Sequence, residues 1–222
     1  MPFTPDNSFI VRSREYGDGS EFNSSDDTLD IIPDHYVKRL WRRPAVPNVN
    51  GGLKDVYINK SPNSRDRSVA FSTVEEGNLF LVSKGDGDEI FMRVEWEGSS
   101  LKSMERSSIT MDNRTTAIRD FLKASANLLS SSQSRSFVGP DHLEYKWKVV
   151  YCGHNPAYPD SRYLELRVKD SKVPIASSAR LTARDGAFQD EAHPIYLAER
   201  GLQMIPWIVA THALAEKLLN AS

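Results

Sequence analysis

Apolar and polar residues alternate along several stretches of the chain after residue 40. The clearest examples are Glu89–Glu97, Leu143–Tyr151 and Tyr163–Lys169. A period of two places apolar side chains on one face of a strand and polar side chains on the other. The pattern therefore predicts half-buried antiparallel strands, and several shorter β-prone segments extend this prediction over most of the chain.

Glu89–Glu97 also forms part of a predicted hairpin. It follows Asn78–Ser83 across Gly85-Asp86-Gly87-Asp88, a turn composition typical of β-hairpins. Strict alternation places Phe91 on the outer face. The residues expected on the buried face are Ile90, Met92, Val94 and Trp96.

Three segments depart from this alternation or obscure it. Ser99–Thr110 is interpreted as a further strand pair or meander. In Thr115–Leu129, apolar residues recur at intervals of three and four, which predicts one short amphipathic helix. In Leu202–Ala215, ten of fourteen residues are apolar, without a polar face. A helix that is apolar on all sides is buried or crosses a membrane, and this one is too short to cross.

The terminal helix is therefore predicted to be buried, with strands wrapped around it as a barrel. Pro206 is tolerated only in the first turn, so we expect the helix to begin at about Ile205. This combination predicts a mainly β (α+β) fold: a closed antiparallel β-barrel around a buried hydrophobic C-terminal helix, plus one short amphipathic helix.

A family resemblance leads to the same fold. The segments that carry it are Arg119–Leu122, Phe137–Asp141, Glu144–Lys148, Pro194–Leu197 and Leu202–Leu219. Over roughly residues 50–219 the chain resembles a domain family of unknown function abundant in mushroom-forming fungi, itself similar to the tubby-like, scramblase-like and LURP-one-related group. The resemblance implies a tubby-like closed barrel of twelve antiparallel strands around a central helix. It also implies phosphoinositide binding by basic residues on an outer strand face, as in some members of that group.

Charge divides the chain into two parts. The 28 Lys and Arg against 30 Asp and Glu give a net charge of −2, which makes no case for a nucleic-acid partner. Residues 1–34 contain eight acidic residues and two arginines, whereas the remainder has a net charge of +4. We expect an acidic, flexible segment at 1–34 and a single barrel domain at 35–222.

The composition argues against several kinds of chemical site. One cysteine and five scattered histidines argue against a disulfide scaffold and a closed zinc site. No catalytic, phosphate-binding or dinucleotide-binding motif is found, so we predict no metal, no cofactor and no assigned catalytic residue. His212, on the terminal helix, is interpreted as a core residue.

Without a signal peptide or a transmembrane segment, the chain is predicted to be cytoplasmic, with a peripheral position at a membrane left open.

Basic residues form the candidate binding site. Two of the predicted strands each carry a pair of cations two positions apart, so each pair lies on one face. If the strands are neighbours, the cations converge and attract anionic lipid headgroups. The alternative is an ordinary solvated face that Glu144 and Glu165 neutralise. The candidate residues are Lys146, Lys148, Arg167, Lys169 and Arg180.

Lys38–Arg43 is the densest basic run and contains one tryptophan. Such a run is typical of contacts with nucleic acid, a membrane or a nuclear import receptor. The alternatives are pairing within the chain, with the acidic segment just upstream, and an ordinary solvated run.

Three functions follow from these observations. The preferred one is an intracellular, non-enzymatic tubby-like domain that binds anionic lipid headgroups or a protein partner through its outer face. The second is a small-barrel enzyme, such as an isomerase or cyclase, acting on an apolar metabolite in a mostly apolar pocket. The third is a structural or interaction role in which the acidic segment docks on partners or on the basic body.

Overall fold

The computed structural model describes residues 36–47, 52–59, 68–87, 89–125, 134–151, 162–178 and 195–221. The acidic segment predicted to be flexible (1–34) and Arg180 lie outside these ranges. The strands, β1 to β13 in chain order, are Tyr36–Pro47, Leu53–Asn59, Val69–Glu76, Leu79–Lys84, Glu89–Glu95, Ser108–Met111, Arg114–Ala117, Lys123–Ala124, Arg135–Val138, Glu144–Tyr151, Arg162–Val168, Pro174–Ser177 and Ile195–Ala198. The helices, α1 to α3, are Leu101–Arg106, Ile118–Phe121 and Ile205–Asn220, and a 3-10 helix at Glu199–Met204 leads into α3.

The described strands pair into one antiparallel sheet, and this sheet does not close. Its order is β7-β6-β5-β4-β3-β2-β1-β13-β12-β11-β10-β9-β8, so β7 and β8 are edges that do not pair with each other. The predicted closed barrel is therefore wrong. Between the two edges the backbone forms the single turn of α2, in which the Leu122 amide donates to the Ile118 carbonyl at 2.7 Å. Ile118 and Leu122 are fully buried, so this connection turns into the core instead of extending a strand ladder.

Helix α3 lies against the concave side of this sheet and is buried over most of its length. It begins at Ile205 with Pro206 in its first turn, as the sequence predicts. Strands from both halves of the sheet contact it: Trp147 of β10 donates to the Thr211 hydroxyl at 2.9 Å, and Lys217 pairs with Glu75 of β3. The buried residues of α3 are Ile208, Val209, Ala210, Thr211, His212, Ala213, Leu214, Ala215, Leu218 and Leu219.

An aromatic cluster surrounds the start of α3. The Trp207 ring lies 6.3 Å from Phe91, 6.1 Å from Phe121 and 6.2 Å from Phe137, measured between ring centroids. Phe91 belongs to β5 and Phe137 to β9, on opposite sides of the gap between β7 and β8. The cluster therefore links the two ends of the sheet through side-chain packing where backbone hydrogen bonds are missing.

A β-bulge explains one reversal of the predicted pattern. The β4–β5 register shifts between Val82 and Ser83, which places one extra residue in β5. Beyond the bulge the faces exchange: Phe91 packs against the core, while Ile90 is 57% exposed. The strict alternation predicted the opposite for both residues.

Two local predictions are also wrong. The first half of Ser99–Thr110 forms α1 instead of a strand, because the Ser100 hydroxyl caps the Ser103 amide and starts a helix. Among the described residues of the second segment, 115–125, the helix is confined to Ile118–Phe121. Thr115 and Thr116 instead pair with β6 in a hairpin, where β-branched residues are favoured.

The Trp147–Thr211 hydrogen bond predicts how much folding stability a substitution at Thr211 removes. Thr211→Val keeps the side-chain shape but leaves the buried Trp147 N–H without an acceptor, so we expect the free energy of unfolding to fall by about 1–3 kcal/mol. Thr211→Ser retains the hydroxyl and should retain most of that stability. Urea denaturation followed by tryptophan fluorescence measures both variants, and equal losses in the two would contradict a role for this hydrogen bond.

Candidate functional site

The predicted basic strands are neighbours in the sheet. β10 pairs with β11, which places Lys146 directly opposite Arg167 and Lys148 opposite Glu165. Tyr145, Trp147 and Val149 point to the core, with exposures of 1%, 0% and 7%. The alternation that buries these three residues is what turns the lysines outward.

The register adds a cation, Lys123, that the sequence interpretation missed. Ser136 of β9 pairs with Lys146 on one side and with Lys123 of β8 on the other. Residues directly opposite each other share a face, so Lys123, Lys146 and Arg167 lie in one row across the sheet. Lys123 was hidden because the segment that contains it was interpreted as a helix.

We call this surface the basic face and define it by Lys123, Lys146, Lys148, Arg167 and Lys169. Two carboxylates interleave with it. The Arg167 guanidinium pairs with Glu165, and Lys169 pairs with Glu144 at 2.7 Å, a hydrogen bond that raises the pKa of Lys169. Five cations against two carboxylates leave a net charge of +3.

The remaining three cations of the face have no carboxylate partner among the described residues. Lys146 donates to the Ser125 hydroxyl at 3.3 Å, and Lys123 and Lys148 are exposed. The alternative interpretation, a neutralised face, therefore holds for Arg167 and Lys169 but not for Lys123, Lys146 and Lys148. Arg180, the last predicted binding residue, lies outside the described residues.

The loop between β9 and β10 borders the basic face and is held by Asp141. Its carboxylate accepts hydrogen bonds from the Tyr145 hydroxyl at 2.6 Å and from the Leu143 amide at 3.2 Å. Burial and the bond to Asp141 raise the pKa of Tyr145 to about 12. Partial burial acts to raise the pKa of Asp141, but these hydrogen bonds outweigh it and lower that pKa. At neutral pH the pair is therefore a neutral donor and a charged acceptor.

Gly139 permits the same loop to approach Tyr145 closely. A Cβ at this position would lie 2.5 Å from Cε2 of the Tyr145 ring. The ring also stacks on Phe137 at 5.6 Å, so it has little freedom to move away. Loop and strand are therefore packed as one unit at this end of the sheet.

Within the basic run at Lys38–Arg43, Arg42 forms ion pairs inside the protein. Arg42 donates to Asp55 of β2 at 2.6 Å and to Glu216 of α3 at 2.5 Å. Its guanidinium also lies 5.9 Å from the centre of the buried Tyr57 ring. Arg42 thus pairs within the chain, with partners on β2 and α3, whereas the predicted pairing with the acidic segment concerns residues 1–34, outside the described ranges.

Burial and charge act in opposite directions on this cluster. Burial favours the neutral form of Arg42, but Tyr57, Glu216 and Asp55 raise its pKa and keep it charged. Burial also favours the neutral form of Tyr57 and therefore raises its pKa. His212, interpreted as a core residue, is 1% exposed, with its Nε2 3.8 Å from Glu216 and its ring edge-on to Trp147. The arrangement ties the last turns of α3 to β1 and β2.

A surface groove of about 340 Å³ lies at the β4–β5 and β6–β7 turns. Six of its nine lining residues are polar, and Ile90, Phe91 and Met111 supply the rest. It therefore lacks the mostly apolar lining that the enzyme hypothesis requires. Within the ranges that the structure covers, no cluster of three or more His, Cys, Asp or Glu residues is arranged to hold a metal ion.

Comparison with known proteins identifies the family. The sequence model of a family of unknown function (DUF6593) matches residues 56–221, most of the chain. The chain belongs to this family. No curated protein and no solved structure matches it. The match begins inside β2, yet β1 lies outside it and still pairs with both β2 and β13, so the folded sheet extends beyond the DUF6593 match.

One further observation concerns membranes. None of the helices in the described ranges is long and apolar enough to cross a bilayer.

The Arg42 cluster predicts a clear difference between two arginine substitutions. Arg42→Met leaves Asp55 and Glu216 close together without their cation, so we expect the free energy of unfolding to fall by about 2–4 kcal/mol. Arg93, whose pair with Glu95 is 51% and 49% exposed, provides the matched control. Arg93→Met should cost less than about 1 kcal/mol. Urea denaturation compares the two, and a similar loss in both would contradict the structural role of Arg42.

Proposed function

We propose that this domain binds the anionic headgroups of a membrane surface through the basic face. The observation that carries the proposal is the cross-strand row of Lys123, Lys146 and Arg167, flanked by Lys148. The relationship to the tubby-like group, in which basic strand faces bind phosphoinositides, stays a prediction and agrees with this proposal.

The energetics of the sheet favour a ligand over a purely structural role. Neighbouring strands lie about 4.8 Å apart, and like charges directly opposite each other destabilise a sheet. Lys146 and Arg167 occupy such a pair, and Glu165 offsets only the arginine. An anionic surface would offset the remaining charge, at about 1 kcal/mol for each basic residue near it.

The competing functions receive less support. An apolar-pocket enzyme needs an enclosed, mostly apolar cavity, and the groove at the β4–β5 turn is open and polar. A protein partner with an acidic surface shares the electrostatics of a membrane, and the experiment below distinguishes the two. A docking role for the acidic segment concerns residues 1–34, outside the described ranges.

Co-sedimentation with vesicles tests the proposal. The full chain should bind vesicles of phosphatidylcholine with phosphatidylserine or a phosphoinositide, and not vesicles of phosphatidylcholine alone. Reversing two charges in Lys146→Glu/Lys148→Glu should weaken this binding by about thirtyfold or more, and added salt should weaken it in the parent.

A charge-matched control separates the basic face from general electrostatics. Arg93 and Arg106 are 51% and 50% exposed, lie on β5 and α1, and do not belong to the basic face. Arg93→Glu/Arg106→Glu makes the same change in net charge and should leave vesicle binding within about twofold of the parent. Equal losses in both double variants, or no binding by the parent, would refute the proposed surface.

A further inference from the structure

A second surface adjoins the basic face at one end of the sheet. Among the described residues, six large apolar side chains are markedly exposed, and four of them lie in or beside three neighbouring loops at this end. Ile90, at the start of β5, lies at the same strand ends but in the other half of the sheet. We call these four the loop-tip surface. They are Val138 (54% exposed), Leu143 (39%), Val173 (59%) and Leu202 (37%).

The hydrogen-bonding pattern brings the three loops together. Val138 ends β9 opposite Glu144, and Leu143 lies in the loop that joins these two strands. The Lys169 amide donates to the Glu144 carbonyl at 2.8 Å, which places the β11–β12 turn, with Val173, next to this loop.

The 3-10 helix that carries Leu202 completes the group. Gly201 packs so closely on β12 that a Cβ there would lie 2.6 Å from the Ile175 carbonyl oxygen. Arg200, one residue earlier, lies beside the Asp141–Tyr145 pair of the β9–β10 loop. Leu202 is therefore held near both of the other loops.

The loops are fixed in conformations that keep their apolar side chains exposed. Asp141 holds the backbone before Leu143, and the Ser171 hydroxyl accepts from the Val173 amide at 3.2 Å. His142 and Asp170 both adopt positive φ angles, 62° and 65°, which give each loop its tight turn. Exposed apolar side chains on fixed loops are typical of an interaction site and not of an incompletely packed core.

Charge identifies the partner. The formal charges of the three loops cancel when Lys169, which also belongs to the basic face, is included: Lys169, Lys172 and Arg200 balance Asp141, Asp170 and Glu199. The loops therefore carry no net charge that an anionic surface would repel, while the adjoining basic face, which begins at Lys169, attracts anions. An apolar edge continuous with a cationic face matches the boundary between acyl chains and anionic headgroups in a bilayer.

We propose that the loop-tip surface inserts into the interfacial layer of an anionic membrane while the basic face contacts the headgroups. This inference rests on the proposed function. It adds an orientation: the end of the sheet formed by the β9–β10 loop, the β11–β12 turn and the 3-10 helix faces the bilayer.

Two measurements on the full chain separate the inference from the proposed function. Co-sedimentation with phosphatidylserine-containing vesicles reports binding. The rise in surface pressure of a lipid monolayer reports insertion.

The tip variant is Leu143→Ser/Val173→Ser. Leu53→Ser is the control, because Leu53 is 51% exposed but lies at the opposite strand ends, where β1 ends and β2 begins.

We expect the parent and Leu53→Ser to insert into anionic monolayers. The tip variant should lose insertion and bind vesicles about tenfold more weakly. Circular dichroism and urea denaturation confirm that the variants are folded, and since both tip residues are exposed, their replacement should preserve stability.

Other outcomes overturn one proposal or the other. Vesicle binding by the parent without insertion, or unchanged insertion by the tip variant, refutes tip insertion and leaves headgroup binding standing. The protein could instead insert into neutral monolayers, with insertion unchanged in Lys146→Glu/Lys148→Glu but abolished in the tip variant. This result refutes headgroup binding and retains tip insertion. A concentration-dependent dimer that only the tip variant abolishes identifies the loop-tip surface as a self-association site and refutes its membrane role.

Discussion

Helix α3 has no polar face, and the need to bury it on all sides constrains the rest of the structure. A single flat sheet covers only one side of a helix, so the strands curve until both halves of the sheet reach α3. Trp147 anchors the helix from β10, and Lys217 and Glu216 anchor it to β3 and β1. Because these contacts come from strands far apart in the sheet order, the helix sets the curvature of the sheet.

The sheet reaches around α3 without joining its own edges. At the gap, α2 and the rings around Trp207 replace the backbone hydrogen bonds that would pair β7 with β8. The edge strands are short, four and two residues, which limits the unpaired backbone they present. The edge strand β8 also brings Lys123 to the end of the cationic row, so the open edge contributes directly to the candidate site.

Burial of the helix and the chemistry of the surface are coupled through the strands. In β10, the same alternation that directs Tyr145, Trp147 and Val149 to the core directs Lys146 and Lys148 outward. The loops at one end are packed just as firmly, through Asp141, Tyr145 and Gly139. A rigid scaffold with an outward cationic face and fixed apolar tips is suited to binding a surface, because little conformational entropy is lost on contact.

Local periodicity in the sequence determined much of the architecture. It was sufficient for the strands with clear alternation, the β4–β5 hairpin, the start of α3 near Pro206 and the burial of that helix, because each depends on residues close in the chain. It failed where a single residue changes the outcome: the bulge that exchanged Ile90 and Phe91, and the cap at Ser100 that started α1.

Only the tertiary structure decided which residues meet. Pairing between β8, β9, β10 and β11 placed Lys123 beside Lys146 and Arg167, and it placed Glu144 and Glu165 against two of the predicted cations. The sequence likewise left open that Arg42 would contact α3 and that four apolar residues would gather at one end, and its prediction that the sheet closes was wrong. Such contacts depend on strand register and chain closure over long separations, which no local pattern encodes.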